Sequence, residues 1–390
     1  MSRVLARLRG RDPGPLRVGA PSDLLAALRD GAVPLAPGAR ASAEASQLRI
    51  AVMIPPFRRG SGGHGAIAHL IRGLEARGHQ CEVRVLDDEG RHEPAQLAAD
   101  FRAWFGPVQA DVRLGLGGWD GADIAVATGW QTVPCILRLA GVKARAYLVQ
   151  DHEPEFYPTS AEREWAAWTY RQGLHHVASS GWLAQLIRDR YDGAASAFSY
   201  GVDHELYRPL ADVARRDDSV LFYARAVTGR RAVPLGLLAL EELARRRPAL
   251  DIALYGEARP IAVPFRARQL GVLSDAQLAI AYAEATVGVV LSLTNPSLVP
   301  LDMLACGLPV VDVASESMVT EFGLDGPATL AAPHPLALCD AIEAQLDNPA
   351  ERLQRAARGL AAVRARTFTA ATEQVELGLR EALRSAPGPA

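Results

Sequence analysis

Three arginines stand in the segment Tyr-Ala-Arg-Ala-Val-Thr-Gly-Arg-Arg at 223–231. A guanidinium stays charged at any physiological pH and offers planar, bidentate donors, which suits a diphosphate. Arg225 and Arg231 are the residues expected to stabilise charge on a departing diphosphate, with Arg230 beside them as a ligand. Fixed cations aimed at charge that develops only in the transition state raise turnover more than they tighten substrate binding. A basic surface turn has the same composition.

A second segment, Thr-Asn-Pro-Ser-Leu-Val-Pro-Leu-Asp at 294–302, follows an apolar run at 287–291 and enters a helix at about Val299. Gly307 closes it before another apolar run at 309–313. The first amides of a helix have no intrahelical partner, and the helix dipole favours an anion there. Thr294, Asn295, Pro296, Ser297, Leu298 and Val299 therefore read as a cradle for an anionic donor. Asp302, one turn in, is placed to accept a hydroxyl of the same ligand, although an aspartate at a helix start is also ordinary.

A third segment, Gln-Asp-His-Glu-Pro-Glu-Phe-Tyr at 150–157, crowds carboxylates and an imidazole beyond a strand end. Asp151, His152 and Glu153 are the groups expected to meet a reacting hydroxyl. Glu155 and Tyr157 would contact a second, hydroxyl-bearing ligand, with Tyr157 or Trp165 stacking on its ring. A solvated acidic loop shares this composition. The loop Gly-Ser-Gly-Gly-His-Gly at 60–65 allows close backbone approach, yet lacks the register and acidic partner of a dinucleotide fingerprint. A tight turn explains it equally well. Tyr255 and Gly256 end another apolar run, where they could border a nucleotide or belong to a plain strand.

These segments need a frame that points strand ends at one cleft. Apolar runs at 48–54, 81–86, 124–128, 144–150, 176–179 and 197–200 alternate with helical patterns at 66–77, 161–172 and 182–191. After a polar stretch at 209–218 the alternation restarts, with strands expected at 219–223, 251–255, 287–291 and 309–313. Helices are expected at 234–246, 275–284, 335–346, 349–364 and 370–383. Such alternation implies an α/β chain with two doubly wound sheets. The organisation is read as an appendage at 1–47, a first domain at 48–208, a linker at 209–218, a second domain at 219–365 and a terminal helix within 366–390.

The segment 292–301 with Asp302, and the Asp and Glu-Pro of 151–154, resemble the retaining GT-B glycosyltransferases of family GT4, in particular the WsaF-type rhamnosyltransferase subgroup. In GT4 a Glu-x7-Glu pair brackets the donor loop; here Thr294 and Asp302 occupy those positions. The resemblance implies two Rossmann-like domains facing a cleft, with the last helix crossing back to the first domain. It gives Gly62, Gly63 and His64 contacts to donor phosphate and acceptor, and places the nucleotide base near 270–273. It further implies transfer of a sugar, L-rhamnose from dTDP-rhamnose, to a glycan or lipid-linked glycan with retention of configuration.

The chain has 390 residues, 49% hydrophobic and 22% charged, enough for two cores. A net charge of −2 carries no nucleic-acid signal. Cys81, Cys135, Cys306 and Cys339 lie far apart, without metal spacing; three of them sit in apolar runs and read as reduced core residues of a cytoplasmic protein. Arg3, Arg7, Arg9 and Arg11 fit either a solvated tail or a peripheral contact with anionic lipid. No Asp-x-Asp motif is present, so no metal or other cofactor is expected, and the arginines would take the place of a cation. A non-catalytic sugar-nucleotide or glycan-binding protein, and an epimerase on the same frame, are the alternatives.

Overall fold

The computed structural model describes residues 20–387. The first sheet holds β1 (Arg49–Ile54), β2 (Gln80–Val85), β3 (Asp111–Leu114), β4 (Ala122–Ala127), β5 (Val142–Val149), β6 (His175–Ala178) and β7 (Ala195–Ala197), in the order β3-β2-β1-β4-β5-β6-β7. The second holds β8 (Ser219–Tyr223), β9 (Asp251–Tyr255), β10 (Arg268–Gly271), β11 (Val287–Val289), β12 (Val310–Val313) and β13 (Ala328–Ala331), ordered β10-β9-β8-β11-β12-β13. All pairings within both sheets are parallel.

Strand β1 shows why its sequence is an unbroken apolar run. Successive side chains point to opposite faces, and both faces are covered. Ile50, Val52 and Ile54 join one core with Ile67, Leu70 and Leu74 of the helix Gly62–Ala76. Ala51 and Met53 join the other with Ile136, Leu183 and Ile187. In such sheets ligands collect beyond the strand ends where the order reverses. Those points are β1/β4 in the first sheet and β8/β11 in the second, and the loops after them face each other.

Three strands escape the periodicity argument. β3 carries charged Asp111 and Arg113, β10 begins Arg-Gln, and β13 is short and partly exposed. The helix expected from residue 66 starts at Gly62, because extended Ser61 (φ −78°, ψ 103°) serves as its N-cap. Gly62, Gly63 and His64 thus form the first turn of a helix, not a free loop.

The reading of 1–47 as an appendage outside the fold is corrected for its described part. Leu24, Ala27 and Ala43 are buried, Val33 N donates to Leu137 O (2.9 Å), and Ala36 N donates to Val142 O (2.7 Å). These buried apolar side chains and backbone hydrogen bonds anchor the described part to the first domain. Arg3, Arg7, Arg9 and Arg11 lie outside the described residues.

The final helix, Phe368–Arg384, returns to the first domain. Phe368 stacks on His69 with ring centroids 4.0 Å apart, and Arg380 Nη1 donates to Ala43 O and Ala45 O, both at 2.8 Å. Among the described residues the four cysteines are free, and no helix is long and apolar enough to cross a membrane.

Candidate active site

Both switch points open onto one interdomain cavity of ≈ 400 Å³. The first domain contributes Pro55, Gly62, Gly63 and His64 after β1, Gly129 and Gln131 after β4, and Gln150, Asp151, Glu153 and Phe156 after β5. The second contributes Tyr223, Arg225, Thr228, Arg230 and Arg231 after β8, and Pro296, Ser297, Leu298 and Val299 after β11.

The three arginines reach this cleft in different states. Arg225 lines it without an ion pair among the described residues. Arg231 is buried and its Nη1 donates to Ser292 Oγ (3.1 Å). Burial lowers its pKa, yet a guanidinium remains protonated at neutral pH. Arg230 reaches across the domain boundary: its Nε lies 2.6 Å from Asp151 Oδ2, and its guanidinium sits 4.0 Å above the Phe156 ring. The Nε–H is not aligned on the carboxylate, so this contact is an ion pair rather than a directed hydrogen bond.

Opposite them starts the helix Leu298–Ala305, one residue before the position read from the sequence. Leu298 and Val299 present its leading amides, and Pro300, third in the helix, has no N–H to offer. Ser297 Oγ is enclosed in the same wall without a hydrogen-bond partner among the described residues. An enclosed, unpaired hydroxyl is costly unless a ligand satisfies it.

His64 lines the cleft with Nδ1 2.8 Å from Ser61 Oγ and Nε2 3.3 Å from Pro55 O. Burial lowers its pKa to about 4, so the ring is neutral at pH 7. A ring donating from Nε2 to Pro55 accepts at Nδ1 from Ser61. Gly62 and Gly63 also line the cavity; a Cβ on Gly63 would meet the Gln150 amide at 3.5 Å.

The acidic loop divides. Asp151 and Glu153 face the cleft, whereas His152 and Glu155 do not line it. His152 is buried, with Nε2 2.7 Å from Tyr191 OH and Nδ1 3.3 Å from Glu155 Oε1. Its place in the reacting set is therefore corrected: the short helix Glu153–Phe156 turns the imidazole among Tyr170 and Tyr191, and Glu155 goes with it. Glu153 is buried and accepts from Tyr147 OH (2.7 Å) and Trp130 N (2.7 Å). Burial pushes its carboxyl up to about 7, against the opposing effect of those two donors. Tyr157 lines an adjoining cavity, where its OH accepts from Trp130 Nε1 (3.0 Å).

Asn295 is also corrected as a donor ligand. Its Nδ2 donates to Ser179 Oγ (2.9 Å) and Gln150 O (3.1 Å), and its Oδ1 accepts from Ser180 Oγ (2.5 Å). Its backbone amide donates to Asp151 Oδ1 (3.0 Å). The first domain occupies this side chain, leaving no free group for a ligand. Thr294 is buried outside the cavity lining, and its carbonyl accepts from Ser317 Oγ. Tyr255 is buried with its OH 2.9 Å from Tyr282 OH, so it borders the site through the Tyr223 ring, 5.2 Å away. Gly256 adopts φ +100°, and a Cβ there would lie 2.7 Å from Tyr223 Cε2. Asp302 does not line the cavity. Burial and the nearby carboxylates Asp275 and Asp203 push its carboxyl well above the usual range.

Sequence reasoning missed Gln150, Tyr200 and Ser180. Tyr200 OH donates to Gln150 Oε1 (2.9 Å) at the cavity wall, and Ser180 both caps a helix, accepting from Leu183 N (3.1 Å), and bonds Asn295. Nothing local marks them, because their partners lie far away in the sequence.

The architecture is the GT-B fold, two parallel-sheet Rossmann-like domains with a site between them. A family model described as the C-terminal domain of WsaF matches residues 218–335, the stretch containing all three cleft arginines and the helix at Leu298. The O-antigen biosynthesis protein RfbC of Myxococcus xanthus is 31% identical over 194 residues, 48% of this chain. The match spans 15% of that relative's length. Among solved structures, sucrose-phosphate synthase from Thermosynechococcus elongatus superposes with a TM-score of 0.66 at 16% identity, covering 85% of this chain and 98% of that one. HepE from Anabaena, in complex with UDP-glucose, gives 0.64 at 15% identity, covering 87% of this chain and 100% of that one. WaaG, a glycosyltransferase involved in lipopolysaccharide biosynthesis, gives 0.61 at 14%, covering 84% and 98%.

Proposed function

We propose that the chain is a glycosyltransferase that moves a sugar from a nucleotide diphosphate to a hydroxyl of a glycan. The observation that carries this reading is the convergence of Arg225, Arg231 and the Leu298–Val299 amides on one cavity between two strand-end switch points. A diphosphate lying there meets cations on one side and a helix start with the unpaired Ser297 hydroxyl on the other. As the bond between sugar and phosphate breaks, the charge gathering on the leaving diphosphate is held by groups already in place. The arginines supply the opposing positive charge, so no metal is required. The nucleoside would extend along the helix toward Asp302, whose carboxyl would take a ribose hydroxyl. L-rhamnose from dTDP-rhamnose is the proposed donor, supported by the WsaF match over the donor-side domain. The RfbC relationship supports a place in surface-polysaccharide assembly.

Retention is proposed with the departing phosphate taking the proton of the acceptor hydroxyl on the same face of the sugar. Glu153 and Asp151 then shape the cleft instead of acting as nucleophiles, since Glu153 is occupied by Tyr147 and Trp130 and Asp151 by Arg230. The test is release of free nucleotide from a panel of nucleotide sugars, with and without glycan acceptors and with and without EDTA. Acceptor-dependent release, unaffected by chelation and greatest with dTDP-rhamnose, is expected. Binding without release for every acceptor would make the chain a binding protein.

A further inference from the structure

Beside the donor cleft lies a second cavity of ≈ 1140 Å³. The two join at Pro55 and Gln131, which line both. Its volume exceeds what a drug-sized ligand fills, and it sits beyond the ends of β1, β2 and β3. Trp130 and Tyr157 stand at the junction with ring centroids 6.1 Å apart. Tyr157 is partly exposed and offers the ring face on which a pyranose stacks, while Trp130 is buried behind it and donates from Nε1 to the Tyr157 OH (3.0 Å).

The charge here is opposite to that of the cleft. Among the described residues, Asp23, Asp87, Asp88, Glu89 and Glu162 line the chamber against one cation, Arg91, whose Nε lies 2.7 Å from Glu89 Oε2. Asp87 Oδ1 is enclosed and has no partner among the described residues, while Asp87 Oδ2 accepts from His92 N (2.7 Å). Asp88 Oδ2 accepts from Ser22 N (3.0 Å), which ties the segment 20–23 into the wall. Carboxylates accept strong hydrogen bonds from sugar hydroxyls, and like charges placed together across an interface are disfavoured by several kcal/mol.

We propose that this chamber takes an uncharged oligosaccharide, and that its carboxylates exclude acceptors bearing a phosphate or uronate on the sugars nearest the reacting hydroxyl. This rests on the transferase reading and deepens it by naming the acceptor class. The two chambers sort substrates by charge: the anionic donor enters the arginine-lined cleft, the neutral acceptor the acid-lined one. A glycan carried on a lipid diphosphate fits only with its diphosphate outside the chamber.

The test uses the full chain on an array of neutral, uronate-bearing and phosphate-bearing oligosaccharides of matched length. Calorimetric titration of dTDP and UDP is run in parallel. Neutral glycans are expected to bind, with charged counterparts at least ~10-fold weaker. Leu116 lies on the chamber wall, 36% exposed, so Leu116→Lys should fold normally and strengthen uronate-bearing glycans ~3-fold. Charged glycans binding as well as neutral ones, or no glycan binding at all, overturns the proposal. If nucleotide binds while neutral glycans do not, the acceptor assignment alone fails. If neither nucleotide binds, the transferase reading itself fails.

Discussion

Asp151 of the first domain and Arg230 of the second meet across the active-site cleft, with Oδ2 and Nε 2.6 Å apart. The same carboxylate accepts the Asn295 amide through Oδ1 (3.0 Å), so one side chain holds two separate loops of the opposite domain. The pair lies at the edge of the proposed diphosphate site, and Arg230 cannot serve both partners equally. Asp151→Asn should loosen the interdomain contact and leave Arg230 free for the donor. A double-mutant cycle with Arg230→Ala should give a coupling of about 1–3 kcal/mol in denaturant unfolding, reduced from the fully buried range because Arg230 is partly exposed. A coupling near zero would mean that the pair is incidental.

Arg225 differs from Arg231 in what the protein asks of it. Among the described residues Arg225 lines the cleft without an ion pair, whereas Arg231 is buried and bonded to Ser292. Arg225→Ala should therefore lower turnover on the order of a hundredfold while leaving the unfolding midpoint unchanged. Arg231→Ala should lose both activity and stability. Steady-state kinetics beside thermal unfolding of the two variants separates these outcomes.

Much of this site was legible because its chemistry is local. The arginines at 225–231 and the helix start near Val299 announce themselves by residue type and follow apolar runs, and they face one cavity. What was illegible depends on which way a side chain turns. His152 and Glu153 are neighbours in one acidic run, yet one turns into an aromatic cluster and the other into the cleft. Asn295 looked like a ligand because it precedes a helix, but its hydrogen bonds run to residues more than a hundred positions away. Short strands with polar residues, such as β10, are held by their neighbours and carry no pattern of their own.

Asn295 should prove a domain clasp. Its side chain joins Gln150, Ser179 and Ser180 of the first domain. Asn295→Ala removes these bonds while Ser179 keeps Gln150 O and Ser180 keeps Leu183 N, so the loss should be about 1–3 kcal/mol and not larger. The expected signature is a larger radius of gyration in solution scattering and a raised KM for donor, because the adjacent helix start is no longer held against the first domain. An unchanged scattering profile with normal KM would show that apolar contacts alone set the closure.

Glu153 should make the first domain's stability depend on pH in an unusual window. Its folded carboxyl titrates near 7 because it is buried, well above the roughly 4.3 of an unfolded glutamate. Between those values the folded chain keeps a proton that the unfolded chain has released. Its contribution is thus fully present below the unfolded value, is lost as pH rises through about 7, and changes little above that. Most carboxylates act in the opposite direction, so the comparison must be made against a variant. Glu153→Gln removes the titration but supplies only one acceptor oxygen for the two donors, Tyr147 OH and Trp130 N, so it should be less stable at low pH. The gap between wild type and variant should then narrow as pH rises from 5 to ~8, followed by chemical unfolding at each pH. A constant gap across that range would show that Glu153 is ionised in the folded protein and that the hydrogen bonds of Tyr147 and Trp130 outweigh its burial.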